Sequence, residues 1–142
     1  MSMENILELQ HVSKTFPKSN FTLEDVTFSL PYGAIMGFVG ENGAGKTTTI
    51  GCILNTIRKD SGTVKLFGQE MSDADTSLRE KIGVVYDGDN FPAYWTAKQL
   101  SDVMEGLYTQ WDNSLFQKYL EDFHLPAKQK IKHYSKGMTM KL

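Results

Sequence analysis

Apolar residues recur along this chain with two different periods. Ile6-Leu7-Glu8-Leu9-Gln10-His11-Val12 mixes apolar and polar positions and predicts a strand. From Phe21 to Leu30 the alternation is cleaner, through Phe21, Leu23, Val26, Phe28 and Leu30, with a slip at Glu24-Asp25. Period-two alternation predicts strands with one face in water. Pro31-Tyr32-Gly33 reads as a turn. Ala34-Ile35-Met36-Gly37-Phe38-Val39 is apolar throughout, the pattern of a strand buried on both faces of a parallel sheet. A helix is predicted from about Lys46 to Ile57, closed by Asp60-Ser61-Gly62. Thr63 to Phe67 alternates as another strand, and Gly68 marks a turn. A short helix near Ser77 to Lys81 leads into a second buried strand, Ile82-Gly83-Val84-Val85-Tyr86.

At Asp87 the period changes. Asp87-Gly88-Asp89-Asn90-Phe91-Pro92 reads as a loop. Beyond it, Leu100, Val103, Met104, Leu107 and Tyr108 fall at helical spacing and predict one buried helix face. Thr96 and Gln99 form a capping-box start for that helix. A second helix begins near Asn113, with Leu115, Tyr119, Leu120 and Phe123 on one face and Pro126 after its end. A β-rich front and an α/β core thus give way to a helical insert, without internal repeats or low-complexity segments.

The chain has 142 residues, which is one domain or a large part of one. Its apolar fraction of 40% and charged fraction of 23% are those of an ordinary globular protein. A net charge of −2 gives no basic excess to drive nonspecific nucleic-acid binding, and no nucleic-acid partner is expected. Lys128, Lys130, Lys132, Lys136 and Lys141 gather near the end, as a solvated face or as an anion-binding patch. The single cysteine, Cys52, excludes an internal disulfide and fits a reducing compartment. Its neighbours Ile50, Ile53 and Leu54 predict that it is buried. No apolar run approaches the roughly 18 residues that span a bilayer.

One segment carries specific chemistry. Gly40-Glu41-Asn42-Gly43-Ala44-Gly45-Lys46-Thr47 matches G-x-x-x-x-G-K-[ST], which a chain of this length shows by chance in roughly one case in 200. The apolar run before it and the predicted helix after it supply the required context. Gly40, Gly43 and Gly45 permit backbone conformations closed to other residues. The loop can then turn its N–H groups toward phosphate oxygens, at the positive end of the helix. Lys46 brings a full charge to the β- and γ-phosphates, and Thr47 offers a hydroxyl to Mg²⁺. The motif implies a nucleotide site and leaves the reaction open, since many NTPases share it.

The whole chain resembles the nucleotide-binding subunit of ABC transporters. Thr48 follows the loop as in that family, which makes it a further phosphate ligand. Tyr134-Ser135-Lys136-Gly137-Met138 resembles the family's signature, usually Leu-Ser-Gly-Gly-Gln; only Ser135 and Gly137 match. A plain helix start with Ser135 as N-cap is the alternative reading. Ile82 to Tyr86 resembles the strand before the family's Q-loop, and Thr96 to Leu100 the helix start after it. Asp87 then stands where glutamine is usual, either facing the metal through its carboxylate or simply opening the loop. Val12-Ser13-Lys14-Thr15-Phe16 resembles the stretch bearing the adenine-stacking aromatic, so Phe16 is either that ring or a core residue.

This resemblance implies an α/β P-loop NTPase core with an antiparallel β subdomain and a helical insert. The implied division is 1–87 for the β subdomain and core, 88–134 for the helical subdomain, and 135–142 for the start of the signature helix. It implies ATP and Mg²⁺ as ligands. Phe16, Gly40, Asn42, Gly43, Ala44, Gly45, Lys46, Thr47 and Thr48 would hold the near nucleotide, with Lys46 also catalytic. Ser135 and Gly137 would hold that of a facing subunit, and Thr47 and Asp87 the metal. Expected partners are membrane-spanning transporter subunits and a second nucleotide-binding subunit, identical or different, at the inner face of the cell membrane. The family's aspartate-ended strand, catalytic glutamate and switch histidine are not found, so a C-terminally truncated domain that binds ATP without hydrolysing it is expected. A soluble ABC protein, another P-loop enzyme and a binding module are the rival classes.

Overall fold

A computed structural model describes residues 5–72, 75–86 and 90–142. The chain divides into two compact units, Met1–Lys81 and Ile82–Leu142.

In the first unit, β1 (Asn5–Thr15), β2 (Thr22–Pro31), β3 (Ser61–Leu66) and β4 (Gln69–Glu70) form an antiparallel sheet in the order β2-β1-β3-β4. Leu9 pairs with Phe28 on one side and Val64 on the other. Leu9, Val12, Leu23 and Val64 share one buried face, joined there by Cys52. Leu9 and Val12 are three apart, and a register shift at His11, φ 52°, brings both to that side. Fully burying such side chains contributes about 1.5–3 kcal/mol each. The slip at Glu24-Asp25 is a bulge. Between the pairs Val12–Val26 and Lys14–Leu23, β2 carries one more residue than β1, and Asp25 adopts φ 51°. Side chains hold this irregularity: Asp25 N–H donates to Ser13 Oγ at 3.0 Å and His11 N–H to Thr27 Oγ1 at 2.9 Å. The short β4 was not expected. Phe67 and Gly68, both at positive φ, form the two-residue turn that suits a right-twisted hairpin.

Helix α1 (Lys46–Ile53) packs beneath the sheet, with Thr49, Gly51 and Cys52 buried. It stops short of the predicted Ile57. Asn55 takes the left-handed conformation, its N–H bonding Cys52 O and that of Thr56 bonding Gly51 O. This is the Schellman closure, which asparagine tolerates. A one-turn helix, α2 (Thr76–Arg79), buries Leu78.

The second unit holds α3 (Ala97–Leu107), α4 (Asn113–Asp122), a 3₁₀ turn (Ile131–His133) and α5 (Lys136–Lys141). The capping box forms as predicted: Gln99 N–H donates to Thr96 Oγ1, and Thr96 N–H to Gln99 Oε1. Ala97, Leu120, Leu125 and Tyr134 make its core.

The two predicted helices form with their apolar faces only partly covered, whereas the two predicted buried strands do not form. On α3 only Leu100 of the predicted stripe is buried, while Val103, Leu107 and Tyr108 are exposed. On α4 only Leu120 is buried, while Leu115, Tyr119 and Phe123 are exposed. The buried side of each helix is the narrow strip its neighbours within the unit can cover. Ala34–Val39 and Ile82–Tyr86 are not strands. Ile35 is 101% exposed, Val39 94% and Val85 77%. A parallel strand needs hydrogen-bonded neighbours, and among the described residues none pairs with either segment.

Candidate functional site

The phosphate-loop residues lie together in the first unit. Asn42, Gly43, Gly45, Lys46, Thr47 and Thr48 line an open cleft of about 290 Å³, with Phe21. Gly43 and Gly45 adopt φ 87° and 97°, the left-handed region that a side chain disfavours. Space is also short at Gly45: an added Cβ would lie 2.8 Å from Leu23 Cδ1 and 3.0 Å from Phe21 Cζ. The sheet therefore presses directly on the loop backbone.

Gly45 is the N-cap of α1, and no side chain caps that helix. The N–H groups of a first helical turn have no partner within the helix. At α3, α4 and α5 a side chain takes up one of them: Thr96, Asp112 and Ser135 respectively. At α1 these donors stay directed into the cleft, where the helix dipole favours an anion.

Lys46 curls over the loop. Its ammonium donates to Gly40 O at 2.5 Å and Glu41 O at 2.7 Å. Both contacts are exposed, so an incoming anion can replace them without stranding a buried charge. The three successive threonines separate around the helix. Thr47 is exposed and Thr48 half buried, both on the cleft. Thr49 is 1% exposed and its hydroxyl donates to Gly45 O at 2.9 Å, anchoring the loop from below. Sequence reading missed Thr49, although helical spacing of about 100° per residue already separates it from Thr47.

Phe16 is half buried, its ring centroid 6.4 Å from that of Phe21. Lys14 Nζ lies 5.7 Å from the Phe16 centroid and also bonds Asp60 Oδ1 at 2.7 Å. That bond, with a second from Thr15 N–H, holds the Asp60 carboxyl below the usual carboxylate range. Burial raises the Cys52 thiol above its ordinary pKa, which keeps it an uncharged core residue.

Ser135 and Gly137 belong to the second unit. Ser135 is the N-cap of α5, its Oγ accepting from Met138 N–H at 3.2 Å. The hydroxyl proton stays free to donate while the lone pair caps. Burial raises the neighbouring Tyr134 phenol, whose hydroxyl donates to Pro126 O at 2.8 Å. Asp87 lies outside the described residues.

A triphosphate fits what the cleft offers: inward N–H donors, an exposed ammonium and a cradle that a Cβ at Gly45 would crowd. Mg²⁺ fits the Thr47 hydroxyl. Among the described residues no cluster of three or more His, Cys, Asp or Glu could hold a metal alone.

Residues 23–142 match the ABC transporter family. The ABC transporter ATP-binding protein YtrB of Bacillus subtilis is 30% identical over 139 residues, covering 96% of this chain and 46% of that protein. The bacitracin transport ATP-binding protein BcrA of Enterococcus faecalis is 28% identical, covering 100% of this chain and 46% of that protein. The chain spans about half the length of these curated relatives. A solved ATP-binding subunit of an ABC transporter superposes with a TM-score of 0.82 at 25% identity, over 96% of this chain and 58% of the other. CbiO1 from Clostridium perfringens shares the fold, with a TM-score of 0.73 at 19% identity over 96% of this chain and 58% of that one. With the phosphate loop formed on an uncapped helix and the family match running from β2 through α5, this chain belongs to the ABC transporter family, in its ATP-binding domain.

Proposed function

We propose that this chain is the nucleotide-holding part of an ABC transporter's ATP-binding subunit, and that Mg·ATP is its ligand. The observation that carries this reading is the open start of α1, where a left-handed Gly45 leaves the first-turn N–H groups beside Lys46. Gly43, Ala44, Gly45 and Thr48 give donors to the phosphates, with Gly40 and Asn42 shaping the loop. Lys46 leaves the carbonyls of Gly40 and Glu41 to neutralise the β- and γ-phosphates, and Thr47 turns its hydroxyl to Mg²⁺. Bound ATP supplies the γ-phosphate whose contacts differ before and after hydrolysis. Asp87 is assigned to the metal on its place in the sequence.

Binding without turnover is the activity assigned to this stretch. Among the described residues, those lining the cleft are Phe21, Asn42, Gly43, Gly45, Lys46, Thr47 and Thr48, which serve binding. In the whole subunit, ATP would join two such domains, with Ser135 and Gly137 of one meeting the nucleotide of the other. The helical second unit would transmit the change to membrane-spanning subunits at the inner face of the cell membrane. The relatives' description as transporter ATP-binding proteins supports this assembly. Calorimetric titration with Mg·ATP tests the core of the reading. Binding is expected in the wild-type chain and its loss in Lys46→Ala; equal affinity in both refutes the assignment. Phosphate release by the wild-type chain would overturn the restriction to binding.

A further inference from the structure

Phe21 is the aromatic residue that lines the phosphate cleft, a role nothing in the sequence gave it. It stands at the entry to β2, packs against the buried cluster of the sheet, and meets two parts of the site. One is the loop: Phe21 Cζ is 3.0 Å from where a Gly45 Cβ would stand, so only a bare glycine lets the ring come this close. The other is Phe16, at 6.4 Å between centroids and 36° between ring planes. Lys14 lies over the far ring. The contacts therefore run from the phosphate loop through Phe21 to Phe16.

A ring without a polar atom offers phosphate nothing, since phosphate oxygens seek N–H donors and cations. Beside the phosphates of a nucleotide comes its sugar, then its base. These have apolar and π surface that an aromatic ring can cover. We propose that Phe21 is a nucleoside-binding residue of this site: its ring receives the sugar and base next to the cradle, in series with Phe16. The site would then select nucleoside triphosphates over inorganic polyphosphates. This inference rests on the nucleotide reading above and goes beyond it in assigning the nucleoside contact.

The test measures Mg·ATP and Mg·tripolyphosphate binding by calorimetry in the full chain, with fold checked by circular dichroism. Wild type is expected to favour ATP. Phe21→Ala is expected to lose about tenfold in ATP affinity, the scale of one ring–base contact, and to keep its tripolyphosphate affinity. Phe21→Leu keeps apolar bulk against Gly45 and Leu23 without a π face, so it is expected to show the same selective loss. It also decides the matter if the alanine variant does not fold. Equal weakening of both ligands, with leucine restoring both, would show that Phe21 only buttresses the loop and would overturn the proposal. Unchanged ATP affinity in both variants overturns it as well. Wild type binding neither ligand removes the nucleotide reading itself and this inference with it.

Discussion

Two helices of this chain start on short motifs, and they start in opposite ways. Helix α5 opens on Ser135, whose hydroxyl takes the Met138 N–H while Met138 Sδ lies 3.5 Å from the Ser135 nitrogen. Helix α1 opens on Gly45, which has no side chain to cap with and sits at φ 97°. Glycine at an N-cap costs only about a few tenths of a kcal/mol relative to a capping side chain, so α1 leaves its donors uncapped at little expense. What holds α1 instead is burial of Thr49, Gly51 and Cys52, and the closure at Asn55. Helix α5 has no fully buried residue; half-buried Met138 packs on the core of its unit, and the Ser135 cap secures its start. A helix anchored along its body can leave its whole first turn of N–H groups open; at α5 the cap takes one of them, and the Ser135 hydroxyl proton is what stays free to donate.

Changes at the open end should act on binding most strongly. Lys46→Ala removes two charge-assisted hydrogen bonds to phosphate and is expected to cost about 3 kcal/mol, roughly a hundredfold in Mg·ATP affinity by calorimetry. A loss below tenfold would count against the Lys46 contact with phosphate. Gly45→Ala places a methyl 2.8 Å from Leu23 Cδ1 in a left-handed conformation. About 2 kcal/mol of unfolding free energy should be lost in urea titration. A stable variant would show that the loop has room the structure denies it.

At the closed end the effects should be smaller and local. Ser135→Ala removes the cap of α5 and should destabilise it by about 1 kcal/mol, read as faster amide exchange in Lys136–Lys141. ATP affinity of the single chain should not change on the proposal that the motif serves a facing subunit. A parallel fall in affinity would place Ser135 on the same chain's nucleotide.

The smallest effect is expected at Asp60, which ties the end of β1 to the loop before β3 through Lys14 and Thr15. Its carboxyl titrates lower in the folded chain than in the unfolded one. The stabilisation is therefore present above the ordinary carboxylate pKa of about 3.9 and fades as the pH falls through the lower folded value. Asp60→Asn should lower the thermal midpoint slightly at neutral pH, with the difference from wild type closing in acid. A difference that grows in acid would contradict the assigned partners.

Much of the site was legible from residues alone. The Gly40–Thr47 loop, the capping box at Thr96, the turn at Gly33 and the buried Cys52 depend on chemistry within a few positions of each residue. Phe21 and Thr49 were not legible as site residues. One reaches the cleft from the entry to β2, and the other anchors the loop from inside the core.

Local rules fixed where helices begin, which glycines turn and which lysine curls over the loop, because those outcomes involve neighbours within about one helical turn. Tertiary structure decided which apolar residues are covered. Leu107, Tyr119 and Ile35 read as core by pattern yet lie exposed. Periodicity records that a face is apolar. Whether it is buried depends on a partner surface elsewhere in the chain, and no spacing within a segment contains that information.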